Sequence, residues 1–212
     1  MNSQCLLDGA VGRGQTTRMQ SDLTIIHGDL AGRLAEGSKN RRSPMHVPVV
    51  ATADADARVM VLRDFDANSW TLRFHTDARS PKCAVVGDRA PIGLLFYDPP
   101  EKVQIRLRGT GRIEREGPIA DAAWTESTNF ARRCYLGEGP GAVSDTPTSG
   151  LPDWAEGIEP NDSQLMQARA NFAVLLVEIA HADWFHLSND GHRRAQFDRG
   201  IDGKWDGRWV AP

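Results

Sequence analysis

A chain of 212 residues and 23.3 kDa is long enough for one sizeable core and too short to require two without an evident linker. Forty per cent apolar and 25% charged residues is ordinary globular composition, and a net charge of -3 gives no general attraction to nucleic acid or an anionic membrane, so any basic site must be local. The longest apolar run, FAVLLV at 172–177, is far below the roughly 20 residues of a membrane-spanning helix. The N-terminus lacks a positive segment followed by an apolar one, and Cys5, Cys83 and Cys134 are irregularly spaced, so a cytoplasmic protein with reduced thiols is expected.

Residues 1–20 are rich in Gly, Gln and Thr without periodicity and read as a disordered tail, leaving 21–212 as a single domain. From Ser21, Leu23, Ile26, Leu30 and Leu34 recur at helical spacing until GSKNRRSP ends the pattern. Five strand-like runs follow, HVPVVATA, ARVMVLRDF, WTLRFHT, IGLLFY and KVQIRLRGTGRIE, separated by short turn signals that favour an antiparallel meander or barrel. A short helix near Pro81 interrupts them, and Pro118 to Tyr135 reads as a longer helix with Gly137 just past its end. A long Gly-, Pro- and acid-rich loop over 136–163 leads into three more strands, FAVLLVEIAHADWFHL, HRRAQFD and KWDGRWVAP. The class is mainly β with flanking helices.

One corner stands out. TDARSPKC at 76–83 places Lys82, one of four lysines, beside Arg79 and Thr76 where a strand gives way to a helix. Ser80 suits an N-cap and Pro81 the first helical position, so free N–H groups and nearby cations would meet there, a phosphate site in kind. A capped surface helix with scattered charge would carry the same signature. The preceding strand adds Arg58 and Arg63, but five residues apart on a straight strand they face opposite ways. They play different parts, or a bulge turns one.

RVMVLR, FHTDARSPK, VQIRLRG, DWFHL with HRR, and the closing WDGRWVAP, in that order, resemble the FMN-binding split β-barrel family typified by pyridoxamine 5'-phosphate oxidase, and TDARSPK resembles its uncharacterised oxidase-related branch. That resemblance implies an antiparallel split barrel, homodimeric, with FMN at the subunit interface. It implies Arg58 and Lys82 on the FMN phosphate with Ser80 assisting, His75 and Thr76 lining the cofactor, and Val59, Met60, Val61 and Leu62 running beneath the ring. Gln104 would reach the flavin from a neighbouring strand, and Trp184 and Arg194 from the other subunit. Arg63 occupies the place of a substrate-facing lysine, keeping the charge but changing the hydrogen-bond fork.

The sequence departs from the vitamin-salvage enzyme at Pro81, where that enzyme has an arginine, and at Ala195, where an Arg-x-His pair would offer its histidine to substrate. The salvage enzyme's Tyr, Arg and Ser trio for substrate phosphate has no counterpart in 119–135, although Arg132, Arg133 and Tyr135 are close by. Expected, therefore, is an FMN-dependent oxidoreductase acting on an unidentified small molecule. The alternatives are a flavin-binding or storage protein without turnover, and a reductase using a deazaflavin or reduced nicotinamide. His181, His186 and His192 have no carboxylate at a recurrent ligand spacing, so no metal is expected, and the strands lack the interleaved aromatics of a nucleic-acid barrel. Trp70, Trp124, Trp205 and Trp209 read as packing.

Overall fold

The computed structural model describes the backbone of residues 8–212 and side chains from residue 22. The expected tail over 1–20 falls largely outside that description: residues 1–7 are outside it altogether, and for 8–21 only a helical backbone is described. That helix, α1 (Asp8–Lys39), thus extends the helix read from Ser21.

Every strand pairing is antiparallel. The strands β1 (Val49–Ala51), β2 (Ala57–Val59), β3 (Leu62–Asp66), β4 (Thr71–Asp77), β5 (Ala90–Asp98), β6 (Val103–Glu114) and β7 (Phe172–His186) lie in the order β2-β1-β5-β6-β7-β4-β3. β8 (Arg193–Arg199) pairs with β7, and β9 (Trp205–Val210) with β8. The two ends of the main path, β2 and β3, are consecutive in the chain and only two residues apart, so the sheet must curl until its edges nearly meet. That is a barrel with a split, not a simple meander, because β7 enters between β6 and β4.

The run ARVMVLRDF, expected as one strand, is therefore two. It breaks at Met60 and Val61, where the chain leaves its pairing with β1, through a last bond from Met60 N–H to the Pro48 carbonyl at 3.0 Å, and joins β4. The register of β3 on β4 then slips between Leu62 and Asp64, so Arg63 is the extra residue of a bulge, the device that can turn one of the two arginines.

A second bulge decides which side chains face where. Arg108 pairs with His181 but Gly109 pairs with Ile179, leaving Ala180 unmatched. A Cβ at Gly109 would lie 2.1 Å from the Glu178 carbonyl oxygen, so only glycine permits this approach. Because side chains alternate, the inserted residue swaps the parity: Leu175, Val177 and Ile179 point into the barrel, whereas above the bulge Ala182 and Trp184 do.

Phe74, Phe96, Ile105, Leu107, Leu72 and Leu62 fill the barrel, and α1 lays the fully buried Leu30 and Leu34 against the same core. Each such leucine contributes about 1.5–3 kcal/mol relative to exposure. On the other face of β7, Phe172, Val174 and Leu176 pack under Ala120 and Ala123 of α3 (Pro118–Glu126), with Trp124 and Tyr135 alongside. Burial on both faces explains why FAVLLV is a continuous apolar run.

The short helix appears as α2 (Pro81–Val86), closed by Gly87 at φ 51°. The helix expected over Pro118 to Tyr135 is instead interrupted. Ser127 caps the end of α3 and bonds back to the Ala123 carbonyl, and Thr128 caps the start of α4 (Asn129–Arg132) by accepting from the Ala131 N–H. Consecutive Ser, Thr and Asn compete locally for backbone groups and break the helix. The long loop carries a 3-10 turn at Asp153–Ala155 and ends in α5 (Asp162–Leu165), capped by an Asn161–Gln164 capping box.

Candidate functional site

The corner singled out in the sequence brings Arg58, Ser80 and Lys82 together. Ser80 has the extended backbone of an N-cap, yet its hydroxyl makes no capping bond; it accepts instead from the Lys82 ammonium at 2.6 Å. Arg58 on β2 donates to the Thr52 hydroxyl at 2.9 Å and pairs with Asp56. Burial lowers the Lys82 pKa, and the nearby Arg58 charge adds to that against the opposing pull of Cys83, Asp77 and Asp56. Lys82 forms no ion pair among the described residues. Two cations held close, one of them bonded only to a hydroxyl, are a donor set that could take an anion. Because α2 has six residues, few peptide dipoles align there, and the positive field comes from the side chains.

Arg79 belongs elsewhere. Its guanidinium straps Asp77 at 3.0 and 2.7 Å and donates to the Gly137 carbonyl at 2.9 Å, tying down the start of the long loop.

His75 and Thr76 alternate on β4 and do not share a face. Thr76 is buried towards α2, its hydroxyl 4.0 Å from the Cys83 sulfur. His75 lies edge-on to Phe172 at 5.0 Å, and burial, with the charges of Arg63 and Arg73, lowers its pKa to about 3, so it is neutral. His75 Nε2 and Arg63 Nε are both buried without a hydrogen-bond partner. Tyr135 stands edge-on to Phe172 at 5.1 Å, the same ring that His75 meets.

Of the run 59–62, Met60 and Leu62 are buried, Val61 is half-buried and Val59 is 66% exposed on the outer face of the sheet, so the four do not form one floor.

Gln104 and Arg194 do share a face. The register Tyr97–Gln104–Phe185–Arg194–Val210 forms one row across the outer surface. Trp184 does not join them. It faces the core between Ile105 and Ala195, and its indole N–H donates to Asp29 of α1 at 3.2 Å, so the structure gives it an anchoring role for that helix. Ala195 is likewise fully buried on the inner face; the residue that shares a face with Arg194 two positions on is Gln196.

The outer face also holds residues that the sequence reading did not single out. Asp183, 3% exposed, receives Arg194 at 2.7 Å, Arg106 at 2.8 Å and Gln196 at 3.0 Å. Burial opposes its ionisation, but these hydrogen bonds and charges outweigh that and hold its pKa below the usual carboxylate value. Beside it a hollow of about 390 Å³ is lined by Val49, Ala51, Gly93, Leu95, Arg106 and Arg108, among others. The alternation in VQIRLRG, which sends Gln104, Arg106 and Arg108 to one face, was the available signal.

Arg132 and Arg133 are committed to structure. Arg132 donates to the carbonyls of Trp124 and Thr125 at 2.8 and 2.7 Å, and Arg133 to that of Ile158 at 2.8 Å while lying over the Phe130 ring. Among the described residues no group of three His, Cys, Asp or Glu side chains is placed to hold a metal ion, and no helix is long and apolar enough to cross a membrane.

Residues 31–115 match the family described as pyridoxamine 5'-phosphate oxidase, FMN-binding domain. A pyridoxine/pyridoxamine 5'-phosphate oxidase of Caulobacter vibrioides is 30% identical over 124 residues, covering 57% of this chain and 51% of the relative, so the match spans about half the relative's length. A solved pyridoxamine 5'-phosphate oxidase-related, FMN-binding protein from Nostoc punctiforme superposes with a TM-score of 0.65 at 20% identity, over 87% of this chain and 96% of that one. PhzG from Burkholderia lata, solved with tetrahydrophenazine-1-carboxylic acid, does so with a TM-score of 0.57 at 17% identity, over 90% and 92% of the chains.

Proposed function

We propose that this chain, whose residues 31–115 match the pyridoxamine 5'-phosphate oxidase FMN-binding domain family, is a homodimeric FMN-dependent oxidoreductase acting on a small organic substrate. The observation that carries this reading is the Arg58–Ser80–Lys82 corner, where Lys82 has a hydroxyl partner and, among the described residues, no carboxylate. A phosphate monoester fits that donor set: Lys82 and Arg58 would neutralise the dianion, and the Ser80 hydroxyl would add a hydrogen bond.

Bound FMN would supply the electron transfer. The chain's part is to hold and orient. Gln104 and Arg194, on the outer face, are the polar groups suited to the flavin of a second copy. Exposed Val47, Val59, Leu95 and Tyr97 support pairing of two chains across that surface. His75, neutral and buried beside Arg63, can donate or accept one hydrogen bond without carrying charge, and no general base is assigned.

A flavin-binding protein without turnover is the second reading, favoured by the commitment of Arg132 and Arg133 to the loop, which leaves no arginine there for a substrate phosphate. The test is the absorbance spectrum of the purified protein, the identity of the chromophore released on denaturation, and anaerobic bleaching by small reductants. Released FMN with bleaching by a donor supports the oxidoreductase; released FMN that no donor bleaches supports the second reading. A protein that binds no FMN contradicts both.

A further inference from the structure

The phosphate corner carries a carboxylate of its own. Asp56 and Arg58 stand two residues apart where the chain enters β2, so their side chains share a face, and the Asp56 carboxylate pairs with one end of the Arg58 guanidinium. The other end is held differently. It donates to the buried Thr52 hydroxyl at 2.9 Å, and that hydroxyl donates in turn to Asp54 at 2.6 Å.

The turn between β1 and β2 sets up this division. Thr52 N–H donates to the Asp56 carbonyl and Ala55 N–H to the Thr52 carbonyl, both at 3.0 Å, while Ala55 takes a φ of 65°, which a residue with a Cβ adopts at a cost. Thr52 is thereby fixed against one end of Arg58. At the other end the Asp56 side chain is 66% exposed, and an ion pair so open to water is weak. The two carboxylates whose charges act on Lys82 are Asp77 and Asp56. Asp77 is clamped by Arg79 at 3.0 and 2.7 Å, so Asp56 is the one free to move. A carboxylate oxygen and a phosphate oxygen make the same charge-assisted bond to a guanidinium, so Asp56 and a phosphate compete for one end of Arg58.

We propose that Asp56 is an internal competitor for the cofactor phosphate: it occupies Arg58 in the empty chain and gives it up when the phosphate arrives. The inference deepens the FMN reading and rests on it. The carboxylate acts with opposite sign in the two states. In the empty chain it offsets the mutual repulsion of Arg58 and Lys82 and so favours folding. In the loaded chain the dianion takes over that role, and Asp56, displaced into solvent beside it, repels it. A carboxylate that only aimed Arg58 at the phosphate would instead strengthen binding.

The test titrates FMN and riboflavin by calorimetry into the apo full chain as wild type, Asp56→Asn, Arg58→Ala, the double variant of these two, and Lys82→Ala. Asp56→Asn should tighten FMN about two- to fivefold, the range that loss of an exposed ion pair allows, and leave riboflavin unchanged. Thermal melting, which also checks folding, should show the apo Asp56→Asn chain melting below apo wild type. The gain in FMN affinity should vanish in the Arg58→Ala background, because there is then no guanidinium to compete for.

An FMN affinity that Asp56→Asn leaves unchanged or weakens overturns the proposal, as does an equal gain for riboflavin or a gain that persists in full without Arg58. If FMN responds to Lys82→Ala but not to Asp56→Asn, the phosphate reading of the corner stands and the competitor alone is refuted. A chain that takes no FMN, or whose FMN affinity ignores Lys82→Ala, overturns both.

Discussion

Replacing Lys82 by alanine should separate what the corner does for folding from what it does for FMN. In the apo chain the ammonium is half-buried beside Arg58, and burial with that neighbouring charge lowers its pKa, so its charged form is disfavoured. A group whose folded pKa lies below its unfolded value destabilises the folded state at pH values where it is protonated when unfolded. Apo Lys82→Ala should therefore melt no lower than apo wild type, the lost Lys82–Ser80 bond being its only hydrogen-bond cost. For FMN the balance reverses. A charge-assisted contact to the phosphate is worth roughly 1.5–3 kcal/mol, which is about ten- to a hundredfold in affinity. Riboflavin shares the ring but not the phosphate, so it should bind weakly to wild type and change little in the variant. Calorimetric titration of both ligands into both apo proteins decides the matter. If Lys82→Ala weakens riboflavin as much as FMN, or leaves FMN untouched, the corner does not hold the phosphate.

The remaining predictions address neighbouring residues. Trp184→Phe should lower stability by about 1 kcal/mol through loss of the bond to Asp29 and leave FMN affinity within about twofold, read by denaturant melts and flavin titration; a large flavin effect with unchanged stability would return Trp184 to the cofactor. His75 has a folded pKa of about 3 against an ordinary 6.5, so its contribution to stability is complete above 6.5 and declines as pH falls towards 3. The slope is at most about 1.4 kcal/mol per pH unit. His75→Gln should flatten that part of the apo stability profile, and an unchanged profile would refute the assignment. Arg79→Ala should speed proteolysis within 137–150 by freeing the Gly137 carbonyl tie, with little effect on FMN; unchanged cleavage would show that the tie is dispensable. Pyridoxamine 5'-phosphate should be turned over poorly or not at all, since Arg132 and Arg133 are bound to backbone carbonyls, and turnover matching a salvage oxidase would overturn this.

Most strands were legible because they are rich in β-branched and aromatic residues and closed by turn residues. Their faces were less so. Two bulges, at Arg63 and Ala180, shift the alternation by one, and neither is marked by more than a glycine at 109. That parity change places Trp184, expected at the flavin, on the inner face together with its register partner Ala195. The break at Met60 and Val61 was hidden because one apolar run serves two pairings, with β1 and then with β4. In the corner, Ser80 and Lys82 could be read directly, since they stand two residues apart in one short segment. The partners of Arg79 could not: the Gly137 and Glu138 carbonyls are brought to it by a loop without periodicity.

The phosphorus resonance of FMN bound to the apo protein tests the central claim most directly, because it reports on the phosphate alone. A free phosphate monoester titrates with a second pKa of about 6. Held by Arg58 and Lys82, the bound dianion should give a shifted signal that stays constant from about pH 5 to about 8, and Lys82→Ala should restore part of the titration. A bound resonance that titrates as free FMN does, in wild type, would contradict the assignment of this corner as the cofactor's anchor.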